Sequence, residues 1–286
     1  MKTTQSYAVS ILAVIITLSI SLSTHAQDEL PYYLIDRGGA MTTSLFGTFI
    51  EKGELLVYPF YEYVDGVDDY RGISLGTSTD TFEYTGDVKE HEVLLFLAYA
   101  FTEDIHIELE QLVYNKVTQS PDPLDTTSLL TEPISESKYF PTLQAQIRWR
   151  AKHETESTPE VYTWFEIDYP LVDNRILAGA PAFEAAIGVG LVKGFSWGMI
   201  TPRISIDYDD EDEQFGFGEW AIEYFRRIND NWGIVTTVEG EAAEISLIGE
   251  LQWHIHDKAF FKFNNGFGLT GDAPKLAPEV GIMFSF

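Results

Sequence analysis

The chain has 286 residues, of which 45% are hydrophobic and 14% aromatic, and its net charge at pH 7 is −27. This excess of acid excludes a nucleic-acid-binding protein, because phosphate contact requires clustered Lys and Arg. The absence of cysteine excludes a disulfide scaffold and a thiolate metal site.

The first residues, MKTTQSYAVSILAVIITLSISLSTHAQ, have the layout of a secretory signal peptide. A positive start at Lys2 precedes an apolar run, and the small residues Thr24 and Ala26 precede an expected cleavage before Gln27. The run is shorter than the ~20 residues of a membrane-spanning helix. We therefore expect residues 1–26 to be removed on export. Residues 27–52 come next, and two arrangements are open: a periplasmic tail, which is the simpler, or a small plug inside a lumen.

From residue 53 onward, side-chain character alternates with a period of two, which indicates β-strands with one apolar and one polar face. In AEISLIGELQWHIHD, apolar residues from Ala243 to Ile255 share one face, and mostly polar residues from Glu244 to His256 share the other. This run exceeds the usual 5–6 residues of a globular strand and suits the ~9–11 of a membrane-crossing strand. The predicted strands are 53–63, 91–101, 104–116, 141–151, 159–169, 181–192, 195–208, 214–227, 231–241, 243–257, 259–270 and 278–286.

The connections between these strands alternate between short and long, as in barrels that have short periplasmic turns and longer outside loops. Long connections are predicted at 64–90 and 117–140, and Pro59 and Pro202 predict bulges or local irregularity inside two strands. Aromatic residues on the apolar face adjoin the short turns, as expected for an interfacial girdle. They are Phe101, Trp149, Trp232, Trp253, Phe261 and, at the matching end of the last strand, Phe286.

These patterns predict an all-β fold: one antiparallel transmembrane β-barrel of the outer-membrane type, with about twelve strands, over residues 53–286. The first and the last strand are expected to place both chain ends of the barrel on the periplasmic side. The expected location is the cell outer membrane of a Gram-negative bacterium. Its lipid and lipopolysaccharide would be partners, and the barrel-assembly machinery would recognise Phe286.

Four stretches resemble a family of bacterial outer-membrane barrels grouped with transporters proposed to accompany meta-cleavage degradation of phenol. The resemblance covers most of the chain after the signal peptide, and it rests on turns, aromatics and glycines rather than on catalytic residues. It implies passage of a small solute, such as an aromatic compound. The stretches are IEKGELLVYPFYEY, FTEDIHIELE, RRINDNWGIVTTVEGE and FNNGFGLTGDAPKLAPEVGIMFSF.

Charged residues on the polar faces are expected to point into the lumen, because Lys or Arg facing lipid at mid-membrane costs ~2–4 kcal/mol. Two interpretations stay open: a hydrated pore whose acidic wall favours cations, or a network of Glu–Arg pairs that fills the lumen. The predicted lumen-lining residues are Glu108, Glu110, Arg148, Arg150, Glu166, Asp168, Glu184, Arg203, Glu239, Glu250 and Lys262.

Three other features suggest weaker hypotheses. His254 and His256 lie two apart, so parity directs both rings inward and they form a weak candidate for a metal site, although polar residues at a wet rim are the simpler interpretation. The acidic loop DYDDEDEQ could hold divalent cations that bridge lipopolysaccharide, but it lacks the spacing of a calcium loop. His91 has no serine clearly placed opposite it, so we do not expect an enzyme or a cofactor.

The sequence thus predicts an outer-membrane channel or transporter for a small solute, aromatic or cationic, through a charged lumen. The alternative is a structural or adhesion-type barrel with a blocked lumen and interacting outer loops.

Overall fold

The structure is a computed structural model that describes residues 30–37, 50–68, 86–121, 132–172, 182–210, 214–241, 244–270 and 273–286. These residues form thirteen β-strands and one 3₁₀ turn, Ile35–Arg37. None of their helices is long and apolar enough to cross a membrane. The strands are β1 (Leu55–Asp68), β2 (Gly86–Ala100), β3 (Ile105–Pro121), β4 (Ile134–Tyr139), β5 (Thr142–Lys152), β6 (Glu160–Pro170), β7 (Glu184–Phe195), β8 (Gly198–Asp209), β9 (Gln214–Asn229), β10 (Trp232–Glu241), β11 (Glu244–His256), β12 (Ala259–Gly268) and β13 (Ala277–Ser285).

The strands form one antiparallel sheet that closes on itself. Each strand pairs with its neighbours in the chain, except that β4 and β5 do not pair with each other, and β1 completes the ring by pairing with both β2 and β13. Both β4 and β5 pair with β3, so they share one position in a ring of twelve. Closure removes the two outer edges of the main sheet, as a membrane-spanning sheet requires, and within the described residues β4 pairs on one side only, with β3. The predicted fold, an antiparallel barrel of the outer-membrane type with about twelve strands, is confirmed.

The break between β4 and β5 lies at Phe140, whose φ of 53° is in the left-handed region. Pro141 follows and has no N–H to donate, so the ladder cannot continue regularly there. The Phe140 N–H still donates to the carbonyl oxygen of Val113 at 3.1 Å, which keeps the break attached to β3.

The long-loop end of the first strands differs from the sequence prediction. The predicted connection 64–90 is shorter, because β1 continues to Asp68 and β2 begins at Gly86. The predicted connection 117–140 is also wrong in part, since β3 continues to Pro121 and Ile134–Tyr139 forms β4. Polar side chains such as Thr118 and Ser135 occupy these extensions, and a hydrophobic alternation does not extend into them.

The two strand prolines interrupt pairing on one side only. Pro59 pairs regularly with Leu95 of β2, whereas the pairing of β1 with β13 has a gap at this position. Pro202 pairs with Ile222 of β9, and the pairing of β8 with β7 has a gap there. The prolines thus cause local irregularity without a bulge.

The outer surface of the barrel is apolar and has aromatic residues near both ends. Close to the short turns, Trp232 stacks on Trp253 at a centroid distance of 5.9 Å, and Trp253 contacts Phe261 at 5.8 Å. Exposed rings also lie toward the other end. This arrangement is typical of a barrel with aromatic girdles at two interfaces. The rings toward the second end include Tyr139, Tyr169, Phe215 and Phe217.

Candidate functional site

The lumenal face is the inward side of the barrel wall, and we name its two ends by the connections found there. The short-turn end carries the turns after β2, β5, β7, β9 and β11, and the long-loop end carries the connections after β1, β3, β6, β8, β10 and β12. Every residue predicted to line the lumen falls on the inward parity of its strand. Glu108, Arg148 and Lys262 are also buried, with at most 9% of their surface exposed.

A cluster of apolar side chains covers part of the lumenal face near the short-turn end. We call it the first apolar cluster. It was not predicted, although the stretch LLVYPF of β1 is apolar on both faces and therefore must direct one apolar face inward. The cluster consists of Ile50, Leu56, Tyr58, Phe60, Leu94, Phe96, Ala98, Ala100, Phe260 and Met283.

A second apolar cluster covers the facing wall, from β6 to β10. Trp164 and Tyr162 lie across Gly188 and Gly190 of β7, where any side chain would overlap their rings. The two glycines therefore allow large rings to lie close to the barrel wall. The cluster consists of Tyr162, Trp164, Val192, Met199, Phe225 and Val235.

Three of the lumenal cations share one environment: each contacts a carboxylate and lies over an aromatic ring. The carboxylate compensates the charge, and the ring face adds a cation–π attraction. These positive charges are therefore already neutralised by the wall. The sets are Arg148 with Glu108 (3.4 Å) and Tyr162 (5.2 Å to the centroid), Lys262 with Glu250 (3.0 Å) and Tyr58 (4.9 Å), and Arg203 with Glu219 and Trp164 (5.9 Å).

Three carboxylates stand side by side on neighbouring strands. Glu62 of β1 is directly opposite Glu279 of β13 and also opposite Glu92 of β2. We call these three residues the acidic row. Like charges directly opposite each other are destabilising, and within the described ranges no salt bridge reaches the middle member, Glu62. The row therefore favours a cation in the lumen beside it.

Hydrogen bonds hold the two outer members of the acidic row. Asn115 of β3 is directly opposite Glu92, and its Nδ2 donates to Glu92 at 2.7 Å and to Glu90 at 2.5 Å. The hydroxyl of Tyr58 donates to Glu279. The row thus joins the first apolar cluster through Tyr58.

The other predicted lumen residues either add carboxylates to the lumenal face or lie at its short-turn end. Gln146 donates to Glu166 at 2.6 Å, and Gln144 of β5 is opposite both Glu110 and Asp168. Glu184 is opposite Asp168, and Glu239 lies on β10. Arg150 lies at the short-turn end, where its Nε is 3.1 Å from Glu160.

The two histidines of the weak metal hypothesis do not share a direction. A bulge between them places Ile255 outside the regular register. His254 is buried and stacks on Phe260 at 4.7 Å, whereas His256 is exposed and accepts the N–H of Lys258 in the turn. The expectation that both rings point inward is therefore wrong. Among the described residues, no group of three acidic or histidine side chains is arranged to hold a metal.

The N-terminal segment contacts the short-turn end at two separate places. The buried carboxylate of Asp36 accepts the Arg227 N–H at 2.9 Å and lies 3.5 Å from the Arg226 guanidinium of β9. The Tyr33 carbonyl lies against Gly194 of β7, where a Cβ would overlap it. Ile50 is buried in the first apolar cluster on the other side of the barrel.

Two features outside the lumen are also placed. His91 faces outward near the long-loop end, and its Nδ1 lies 2.7 Å from the hydroxyl of Tyr61. Part of the acidic loop, residues 211–213, lies outside the described residues.

Comparison with known proteins supports the architecture. No model of a known protein family and no curated protein sequence matches the chain. An outer membrane channel from Pseudomonas putida F1 has a TM-score of 0.57 and 11% identity, and the match covers 86% of this chain and all of that one. The KdgM porin in complex with disordered oligogalacturonate has a TM-score of 0.50 and 8% identity, covering 80% and 99%. At these identities the likeness shows the fold, a barrel of the outer-membrane type.

Proposed function

We propose that this protein is an outer-membrane channel that passes a small cationic solute with an apolar or aromatic part. The observation that carries the proposal is the acidic row on the lumenal face, next to an apolar cluster. Rings of carboxylates favour cations over anions in a pore. The apolar cluster supplies the surface that a hydrocarbon or aromatic part of the solute can contact.

Two further observations support this choice of solute. Arg148, Arg203 and Lys262 are each paired with a carboxylate, so they offer little attraction to an anion. An acidic sugar oligomer such as the one in the KdgM complex is therefore disfavoured. The sequence resemblance to barrels grouped with phenol-degradation transporters favours an aromatic ring as the apolar part.

We also propose a place for this channel in the cell. Residues 1–26 direct export from a Gram-negative cytoplasm, and the short-turn end faces the periplasm. The assembly machinery of the outer membrane recognises the last strand and Phe286. In the barrel, the backbone of Phe286 exchanges two hydrogen bonds with Leu55, at 3.0 and 3.2 Å.

The described N-terminal residues, 30–37 and 50–52, are proposed to help close the periplasmic mouth rather than to belong to a free tail. Asp36 attaches this segment to β9 and Ile50 inserts into the first apolar cluster, so its two described contacts lie on different walls of the barrel. The Asp36 bonds hold only while the segment is seated. Release of these described residues is proposed to open the mouth at the short-turn end.

A blocked barrel is the second candidate function, and one observation favours it. Large inward side chains near the short-turn end are at most 1% exposed, among them Tyr58, Tyr162, Phe225 and Phe260. In a blocked barrel, these rings would close the lumen near the short-turn end. In that case the outer loops, rather than the lumen, would carry the function.

A lipid hydrolase is not proposed. Among the described residues, His91 contacts a tyrosine hydroxyl where a catalytic base would need a serine.

Electrical recording of the purified protein in a planar bilayer separates the two candidate functions. The channel predicts stepwise current under a KCl gradient and an inhibition of that current by phenyltrimethylammonium. A seal that stays without current, both in the wild type and in Asp36→Ala, would support the blocked barrel and contradict the channel.

A further inference from the structure

Basic side chains collect on one outward patch of this strongly acidic protein. Lys89 and His91 lie on the outward face of β2 near the long-loop end, and Lys116 of β3 is directly opposite His91. We call these three residues the basic patch. Both lysines are exposed, and neither forms an ion pair within the described part of the chain. Adjacent positive charges of this kind favour a bound anion.

The basic patch lies where the apolar outer surface ends. The next outward residue of β2 toward the short-turn end is Val93, which is 40% exposed and opposite the exposed Tyr61. His91 lies two residues from Val93 toward the long-loop end, a distance of about 7 Å along the strand. In a barrel seated by its apolar band, this height corresponds to the lipid headgroups of the outer leaflet.

Hydroxyl and ring groups around the patch complete a surface suited to phosphate. The Tyr61 hydroxyl lies 2.7 Å from His91 Nδ1, and the His91 ring is 5.0 Å from the Tyr63 ring, so the imidazole is held in place. Thr118, opposite Lys89, shares a hydrogen bond of 3.0 Å with Ser135 of β4. Hydroxyls and ammonium groups both donate to phosphate oxygens.

Elsewhere at the long-loop end, basic side chains are paired with carboxylates. Two further described basic residues near it are already paired: Lys138 with Glu136 at 3.0 Å and Lys275 with Asp87 at 3.3 Å. Two described acids lie beside the patch: Asp65 is opposite Lys89, and Asp87, two residues before Lys89 on the same face, is paired with Lys275. Among the described residues, neither acid is opposite His91 or Lys116. The patch is thus a local exception to the net charge of −27.

We propose that Lys89, His91 and Lys116 bind the phosphate of a phosphorylated lipid headgroup in the outer leaflet, with the glucosamine-linked phosphate of lipopolysaccharide as the occupant. The proposal rests on the proposed seating of the barrel in the outer membrane, and it is independent of whether the lumen conducts. Its function would be to fix the height and rotation of the barrel in the membrane. The argument is charge complementarity at the depth where that phosphate lies.

Native mass spectrometry of the full chain in detergent, titrated with lipid A, tests the proposal. In the double variant Lys89→Gln/Lys116→Gln, lipid A should bind roughly thirtyfold more weakly, because each surface lysine contributes about one factor of five to binding of an anionic lipid. The matched control, Lys152→Gln/Lys258→Gln, removes two exposed lysines at the short-turn end and should bind as the wild type does. Heat-modified mobility on gels confirms that each variant is folded.

Two comparisons separate the lipid from other anions. Lipid A from which the phosphates have been removed should bind to the wild type as weakly as lipid A binds to the double variant, and inorganic phosphate at millimolar concentration should not displace lipid A. Equal binding by the double variant and the wild type would overturn the proposal. Equal binding of the dephosphorylated lipid would overturn it as well. Loss of this binding with an unchanged channel current would leave the proposed function intact.

Discussion

At the scale of single residues, the lumenal wall combines charge with aromatic rings. A buried ion pair must offset a large desolvation penalty, and added hydrogen bonds or ring faces help to do so. Arg148 has this support from Glu108 and Tyr162. Among the described residues, no cation supports Glu62 in this way, so we expect a passing cation to interact favourably with it.

Selectivity should therefore depend on Glu62. The substitution Glu62→Gln removes one charge from the acidic row and keeps the side-chain size, so the preference for K⁺ over Cl⁻ should fall by roughly a factor of two to five. Reversal potentials in a KCl gradient measure this preference. Glu103→Gln, in an exposed short turn, is the matched control and should leave the reversal potential unchanged. An identical shift in both variants would contradict a specific role for the acidic row.

The rings over β7 yield a stability prediction. A methyl group at Gly188 would overlap the Trp164 indole, so Gly188→Ala should destabilise the barrel by about 1–3 kcal/mol, the usual effect of overpacking. Gly249→Ala is the control, because the space around its added Cβ is open. The temperature at which each variant loses its folded mobility on gels measures the effect. If both variants melted together, the ring contact would not be tight.

At the scale of elements, the joint between β4 and β5 stores backbone strain. A non-glycine residue in the left-handed region costs about 1–2 kcal/mol, and Phe140 adopts it with its side chain half exposed. Phe140→Gly should therefore keep or raise the unfolding temperature. Tyr139→Gly, one residue earlier in a regular strand, should lower it, since it loses the ring contact with Tyr114 at 5.1 Å. A larger loss in Phe140→Gly would show that the Phe140 ring matters more than the strain.

The attachment of the N-terminal segment is a second element to test. Asp36→Ala removes the acceptor for the Arg227 N–H and the partner of Arg226, so the fraction of time in the open state should rise severalfold in bilayer recordings. Asp230→Ala removes an exposed carboxylate from the turn that follows β9 and should not change that fraction. Equal open fractions in the two variants and the wild type would favour a tail without a closing role.

At the scale of the whole molecule, the period of two was sufficient to predict an all-β barrel, because a lipid-facing surface requires apolar side chains on one face of each strand. It predicted which face carries Glu108, Arg148 and Lys262. It could not predict the first apolar cluster, because a strand such as β1 with two apolar faces gives no alternation. It also missed the extensions toward Asp68 and Pro121, which lie beyond the apolar band.

Pairing between strands that are distant in the chain could not be predicted from the sequence either. The acidic row exists only because closure brings β13 beside β1, so that Glu279 meets Glu62 across 217 positions of the chain. The bulge that separates His254 from His256 also depends on the partner strand. Patterns within one strand contain no information on either.

The reversal potential of the full chain in a planar bilayer, with tenfold more KCl on one side, tests the central claim most directly. A lumen with an acidic row predicts a potential of the sign set by K⁺, and a potential that moves toward zero in Glu62→Gln. A potential of the sign set by Cl⁻, or an absence of current even in Asp36→Ala, would contradict a cation channel.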